Sequence, residues 1–345
     1  MENQASILII YTGGTIGMCK DHETGALRPV DFSELNEYIP NLDLFHFKIE
    51  AYSFDPIIDS ANMKPELWLK LAEVIQENYE SYDGFVILHG SDTMAYTASA
   101  LSFMLENLNK PVIITGSQLP LGMIRTDGRE NFITSLEIAA AKHEDTPIVP
   151  EVAIYFEDML YRGNRTYKFN AENFDAFKSV NYPCLAEVGV NIRYNNTYIR
   201  KPNFKKLRVI KTFDNSVAIV KLFPGINRRI LHAILNAEGL RGVVLETFGS
   251  GNAPTEPWLE DELKQAIDRG LIIVNITQCL GGAVEMGKYE TSSMLKKLGL
   301  VNGYDMTTEA AITKLMIALG VYQSKDDIVK RMETNWRGEL SLPFH

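Results

Sequence analysis

Short runs of aliphatic and β-branched residues, each ending in small polar residues and followed by an amphipathic stretch, recur along this chain. They restrict its architecture more than any other feature. Ser6–Tyr11 (SILIIY) leads into Thr12-Gly13-Gly14-Thr15, Gly84–Leu88 (GFVIL) into His89-Gly90-Ser91-Asp92-Thr93, and Pro111–Thr115 (PVIIT) into Gly116-Ser117-Gln118. A run that is apolar at every position fits a strand buried on both faces, as in a parallel sheet covered by helices. The stretches between supply those helices. From Pro65 to Tyr79, Leu67, Leu71, Val74 and Ile75 form one stripe, with Pro65 tolerated in a first turn. From Asp127 to Lys142, Phe132, Leu136 and Ala139 or Ala140 face inward. Strand and helix in alternation predict an α/β fold with ligands at the carboxyl ends of the strands.

The pattern breaks after Val188. Residues 189–211 are polar, lack a helical period and carry Arg193, Arg200, Lys201, Lys205, Lys206, Arg208 and Lys211. They read as a solvated linker or hairpin rather than an anion site. A second series then follows: Ser216–Phe223, a helix near Asn227–Ala237, Gly242–Phe248, Pro257–Arg269 and Leu271–Ile276, closed by helices near Thr307–Leu319 and Asp326–Met332. A chain of 345 residues has room for two domains. The expectation is a larger N-terminal α/β domain with a mostly parallel sheet over 1–189, a linker over 190–212, and a smaller C-terminal α/β domain over 213–345.

Charge and cysteine usage narrow the partners. With 34 Lys and Arg against 44 Asp and Glu, the formal charge of −10 argues against nucleic-acid backbones and anionic membranes. Cys19, Cys184 and Cys279 are an odd, well-separated set that reads as reduced thiols of a cytoplasmic protein. The N-terminus lacks a positive region and a long apolar core, so no signal peptide is expected. The six histidines form no His-x-His, HExxH or similar cluster, which gives a transition metal nothing to start from.

Four strand-end segments hold groups that can do chemistry. In Thr12-Gly13-Gly14-Thr15 the glycines allow backbone N–H groups to approach a ligand, and the hydroxyl after them is a candidate nucleophile; a plain strand-to-helix turn explains the same residues. Ser91, Asp92 and Thr93 place two hydroxyls around a carboxylate, suited to a substrate ammonium beside a reacting carbonyl, or to capping the next helix. His89 reads as a packed, hydrogen-bonded histidine. Asp59-Ser60 precedes the Pro65 helix, where capping again competes with binding. Lys168, in Tyr161–Lys168 (YRGNRTYK), is either surface decoration or, beside Asp92, an amine able to help deprotonate a hydroxyl.

Taken in order, YTGGTIG, DS, HGSDTMAYTASALSF, TGSQLP, YRGNRTYK, GSGNAP and NITQC resemble the bacterial L-asparaginase family, nearest its type I, cytoplasmic branch, over almost the whole chain. The resemblance implies that Thr15 is the nucleophile, and that Ser91, Asp92 and Lys168 complete the catalytic set. It places Gly14, Asp59, Ser60, Ser91, Asp92 and Ser117 around the substrate, with Ser60 on its carboxylate and Asp92 on its α-ammonium. Asn252 matches an asparagine that reaches the site from a neighbouring subunit, which implies a homodimer or homotetramer. Three positions depart from the pattern. Ser91 stands for the usual threonine, and the segment Met18–Val30 lacks the lid tyrosine of many relatives. Tyr289 matches a tyrosine that some type I relatives use instead. Glu246 replaces the arginine of the allosterically regulated branch.

The implied reaction is hydrolysis of L-asparagine through an acyl-enzyme on Thr15, with no metal and no cofactor. A broader glutaminase–asparaginase fits the same residues, because one methylene discriminates by only ~1–3 kcal/mol. A non-catalytic amino-acid binding or sensor module fits two α/β domains around a cleft, and would need an inert Thr15.

Overall fold

A computed structural model describes residues 4–20, 27–29, 46–287 and 290–342. The chain divides into two compact units, residues 1–210 and 211–345. No helix among the described residues is long and apolar enough to cross a membrane.

In the first unit, β1 (Ser6–Tyr11) lies between β2 (Lys48–Ser53) and β3 (Gly84–Leu88), parallel to both, with Ile7 opposite Gly84 and Tyr11 opposite Leu88. Helix α1 (Pro65–Asn78) connects β2 to β3, and α2 (Met94–Met104) connects β3 to β4 (Val112–Thr115). Helix α3 (Gly128–Ala140) then leads to β5 (Val152–Phe156), which pairs in parallel with β4. Ile7, Ile9, Val86, Leu88 and Ile113 cluster with Phe132 and Leu136 of α3, while Leu8, Ile10 and Ile87 are buried as well. Burial on both sides is what the unbroken apolar runs predict; each fully buried aliphatic side chain contributes roughly 1.5–3 kcal/mol. Along α1, Trp68, Leu71, Ala72, Val74 and Ile75 are buried, so Trp68 and Ala72 join the expected stripe while Leu67 is only half-buried.

Beyond β5 the sheet turns antiparallel through β6 (Met159–Arg162), β7 (Ala186–Val188) and β8 (Ile192–Tyr194). The full order is β8-β7-β6-β5-β4-β3-β1-β2. Most of the stretch expected to be a linker, 190–212, belongs to the first unit, which extends to Ile210. Ile199 joins the core of this unit and Leu207 is buried, and polar contacts hold the stretch as well. Asn109 Oδ1 accepts the backbone N–H groups of Asn203 and Phe204 at 2.8 and 3.0 Å. Arg208–Val209 pairs with Leu105–Glu106 in a two-residue ladder. Inside this unit the guanidinium of Arg162 donates to the Glu151 carboxylate (Nε–Oε2 2.6 Å), with both side chains almost fully buried.

The second unit has a four-stranded, wholly parallel sheet. Its strands are β9 (Val217–Lys221), β10 (Gly242–Thr247), β11 (Ile272–Thr277) and β12 (Val301–Asn302), in that order. Helices α4 (Arg228–Leu235), α5 (Pro257–Asp268), α6 (Glu290–Leu298), α7 (Thr308–Val321) and α8 (Lys325–Glu333) complete it. The architecture is therefore two α/β units, the larger one with a mostly parallel sheet, as the sequence predicts.

Candidate active site

β1 and β3 are adjacent, with β2 beyond β1 and β4 beyond β3, so the strand order reverses between them. Such a switch point opens a crevice. The two segments that meet there are the ones the sequence singles out. Thr12 ties them together, its N–H and its hydroxyl both donating to the Leu88 carbonyl at 3.0 and 2.9 Å. Gly14 (φ 90°) then lies against Gly90 so closely that a Cβ on Gly14 would overlap the Gly90 backbone nitrogen. Only glycine takes that φ without strain and also leaves room for the facing backbone. Residues 15–17 form a 3₁₀ turn, closed by Gly17 N–H to the Gly14 carbonyl and by the Tyr11 hydroxyl donating to the Gly17 carbonyl at 2.9 Å. The Thr15 hydroxyl has no hydrogen-bond partner among the described residues, and the N–H groups of Thr15 and Ser91 likewise have no acceptor there.

Ser60 joins from the turn before α1. It is buried, and a Cβ on Gly90 would fall 2.5 Å from its hydroxyl oxygen. Asp59 caps this turn, its carboxylate accepting the Ala61 N–H at 2.9 Å. Thr93 binds the same turn through its hydroxyl, which donates to the Ser60 carbonyl at 2.6 Å. Of the hydroxyls around Asp92, then, Thr93 braces the Ser60 turn, although it stands at the N-terminus of α2, and Ser91 is left for another partner.

That partner is Lys168. The turn Gly163–Arg165 packs on α2, with Gly163 close to Ala98, and Tyr167–Lys168 pairs with Phe177–Lys178. This brings the Lys168 ammonium to 2.8 Å from Ser91 Oγ and 2.7 Å from Asp92 Oδ1. The lysine side chain is 19% exposed and the aspartate 63%, so the carboxylate faces outward while the amine sits beneath it.

Ser117 is placed differently. It is buried at the end of β4 and donates to the Leu119 carbonyl at 2.6 Å, within a loop whose N–H groups at Gln118 and Leu119 are held by the Asp127 carboxylate. Asn252 lies in the second unit, in a tight turn where it and Phe248 exchange backbone hydrogen bonds at 2.8 and 2.9 Å. Tyr289 is outside the described residues. His89 is fully buried; desolvation holds its pKa down at about 4, so the ring is neutral at ordinary pH. Among the described residues no group of three or more His, Cys, Asp or Glu is arranged to hold a metal ion. Sequence reasoning missed the bracing roles of Thr12, Thr93 and Tyr11. The signal was present for all three, since each lies inside a motif.

Two family models match this chain: "Asparaginase, N-terminal" over residues 6–200 and "Glutaminase/Asparaginase C-terminal domain" over residues 216–332. The chain belongs to the asparaginase family. It is 44% identical to L-asparaginase 1 of Escherichia coli K12 across 97% of this chain and 98% of that one. Its fold matches the crystal structure of L-asparaginase I from Vibrio cholerae with a TM-score of 0.88 and 41% identity, covering 99% of this chain and all of that one. It also matches the thermostable L-asparaginase from Thermococcus kodakarensis, with a TM-score of 0.90, 32% identity, and 98% and 100% of the two chains covered. This asparaginase-family chain is thus similar in both sequence and fold to enzymes named for one amide substrate.

Proposed function

We propose that this chain is an L-asparaginase that hydrolyses the side-chain amide of L-asparagine to L-aspartate and ammonia through an acyl-enzyme on Thr15. The observation that carries the reading is the Lys168 amine held between the Ser91 hydroxyl and the Asp92 carboxylate, beside a glycine floor that ends in Thr15. Asp92 takes the substrate α-ammonium on its outward face and Ser60 takes the α-carboxylate. The amide carbon then stands over Thr15. Lys168 and Ser91 move the proton that must leave the attacking hydroxyl, and return it to the departing ammonia. As the tetrahedral intermediate forms, its oxygen is held by backbone N–H groups without internal acceptors, those of Thr15 and Ser91; each such donor is typically worth ~10²–10³ in rate. Water attacks the ester by the same route and releases aspartate.

The family relationship supports a cytoplasmic enzyme assembled as a homodimer or homotetramer, with Asn252 completing the site of a neighbouring copy. Incubating the purified protein with asparagine, and separately with glutamine, while assaying ammonia tests the activity and its breadth. Thr15→Ala should abolish turnover and leave circular dichroism unchanged, because a half-buried turn hydroxyl without a partner adds little stability. Full turnover in that variant refutes the nucleophile assignment. If sites are shared, mixing inactive Thr15→Ala and Asn252→Ala chains should regenerate activity.

A further inference from the structure

Behind the floor of the site runs a chain of buried polar groups that the proposed chemistry does not use. The Trp68 indole N–H, on α1, donates to Thr97 Oγ1 on α2 at 3.0 Å. Thr97 Oγ1 lies 2.9 Å from His89 Nε2, and His89 Nδ1 lies 2.6 Å from the Gly90 carbonyl oxygen. Thr97 and His89 are fully buried and Trp68 nearly so. Each bond has only one workable direction. The Gly90 carbonyl can only accept, so Nδ1 carries the ring proton and donates to it. In the neutral ring Nε2 is then unprotonated, and Thr97, which accepts from the indole, gives its own proton to Nε2. One proton arrangement satisfies all three bonds, and the neutral ring at ordinary pH is the form it requires.

The chain ends on a peptide group of the site. In a trans peptide the carbonyl and the following N–H point in opposite directions. Fixing the Gly90 carbonyl toward the imidazole therefore turns the Ser91 N–H away from it, and Gly90 has no Cβ to resist the placement against Gly14 and Ser60. Three polar side chains in an otherwise apolar core are costly unless bonded, and phenylalanine, valine and leucine would fill similar space. What the polar set adds is a definite direction for one peptide plane.

We propose that Trp68, Thr97 and His89 are positioning residues: together they fix the orientation of the Gly90–Ser91 peptide, and so the stance of the Ser91 N–H and hydroxyl toward Thr15 and Lys168. The proposal rests on the reading that Thr15 and Ser91 carry the chemistry. It extends the site backward into the core, to a threonine and a tryptophan that touch no substrate.

The decisive variant is Thr97→Val, which keeps the shape and removes the hydroxyl. With the full-length protein and asparagine, kcat should fall between about tenfold and 10²-fold while KM changes far less, since the loss is of alignment. Thr97→Ser should restore kcat to within about threefold of wild type, because the hydroxyl alone carries the link. Ser102→Ala, which removes another buried α2 hydroxyl that bonds only the Ala98 carbonyl, should leave kcat unchanged. In the wild-type protein, ¹⁵N NMR of the His89 ring should show the proton on Nδ1, and this reading needs no variant to fold. A folded Thr97→Val with wild-type kcat, a Thr97→Ser as impaired as Thr97→Val, or a wild-type His89 protonated on Nε2 would each overturn the proposal. Failure of the underlying reading is seen separately, as an active Thr15→Ala.

Discussion

Replacing Lys168 with methionine separates what this residue does for the fold from what it does for the reaction. Methionine keeps much of the unbranched stem and removes the amine, which makes hydrogen bonds of 2.8 Å to Ser91 and 2.7 Å to Asp92. The Asp92 side chain is 63% exposed, so water replaces most of what its carboxylate loses, and an ion pair in that setting is worth ~1 kcal/mol or less. The Ser91 hydroxyl is freed into a half-open crevice and can also rebond to water. The thermal midpoint should therefore drop by only a few degrees. Turnover should behave differently. If the amine moves the proton of the attacking hydroxyl, its loss removes general acid–base assistance of about 10²–10⁴, or roughly 3–5 kcal/mol of barrier. Steady-state ammonia release and a calorimetric scan on the same preparation give both quantities. A folded Lys168→Met whose kcat falls by less than about tenfold would refute the proton-transfer role, whatever happens to KM.

Three further outcomes follow from ionisable groups elsewhere in the two units. Arg162→Met should cost about 3–5 kcal/mol in urea unfolding, because it strands the Glu151 carboxylate in the core; a loss below about 1 kcal/mol would show that water reaches the pair. Lys314, fully buried and bonded to the Glu339 carboxylate and to the Met332 and Thr334 carbonyls, should behave likewise as Lys314→Met, with part of the loss recovered when Glu339→Gln is added. Glu309 has its pKa pushed up to about 7, first by burial and then by the nearby Glu246 carboxylate. A raised carboxyl pKa means that stability is lost as pH rises from the unfolded value of about 4.5 through about 7. Glu309→Gln should therefore flatten the stability profile over that window, by up to ~3 kcal/mol at its upper end. An unchanged profile in that variant would contradict the assignment.

Sequence patterning made β1, β3, β4, β10 and β11 legible because each was a nearly continuous buried run, and α1 and α3 because each carried a helical stripe. Strand β2, parallel but largely exposed, carried no such mark. The antiparallel half of the large sheet was not legible either. Its strands β7 and β8 are only three residues long and half-exposed, so neither alternation nor an apolar run marks them. The attachment of residues 203–204 depends on the side chain of Asn109, more than ninety positions earlier, and no local signal carries that. At the site, spacing could propose Ser91, Asp92 and Lys168 but left each with a bland alternative. Their convergence comes from α2 receiving the Gly163 turn. His89 could be read as packed, since histidine beside a buried strand usually is. That its ring lies between Thr97 and the Gly90 carbonyl required the placement of α2 against the strand end.

The floor beneath Thr15 also sets how this catalyst can be altered by selection or engineering. Gly14 and Gly90 touch backbone to backbone, and an added Cβ at Gly14 meets main-chain atoms that no rotamer change can move aside. A library randomised across both strand ends should return almost no functional diversity at the glycines. Useful variants will lie in the walls, where hydroxyls and charges hang from flexible side chains over a fixed main-chain surface. Efforts to widen or sharpen substrate choice are best aimed at Ser60, Ser91 and the residues bracing them, leaving the floor as a constant of the scaffold.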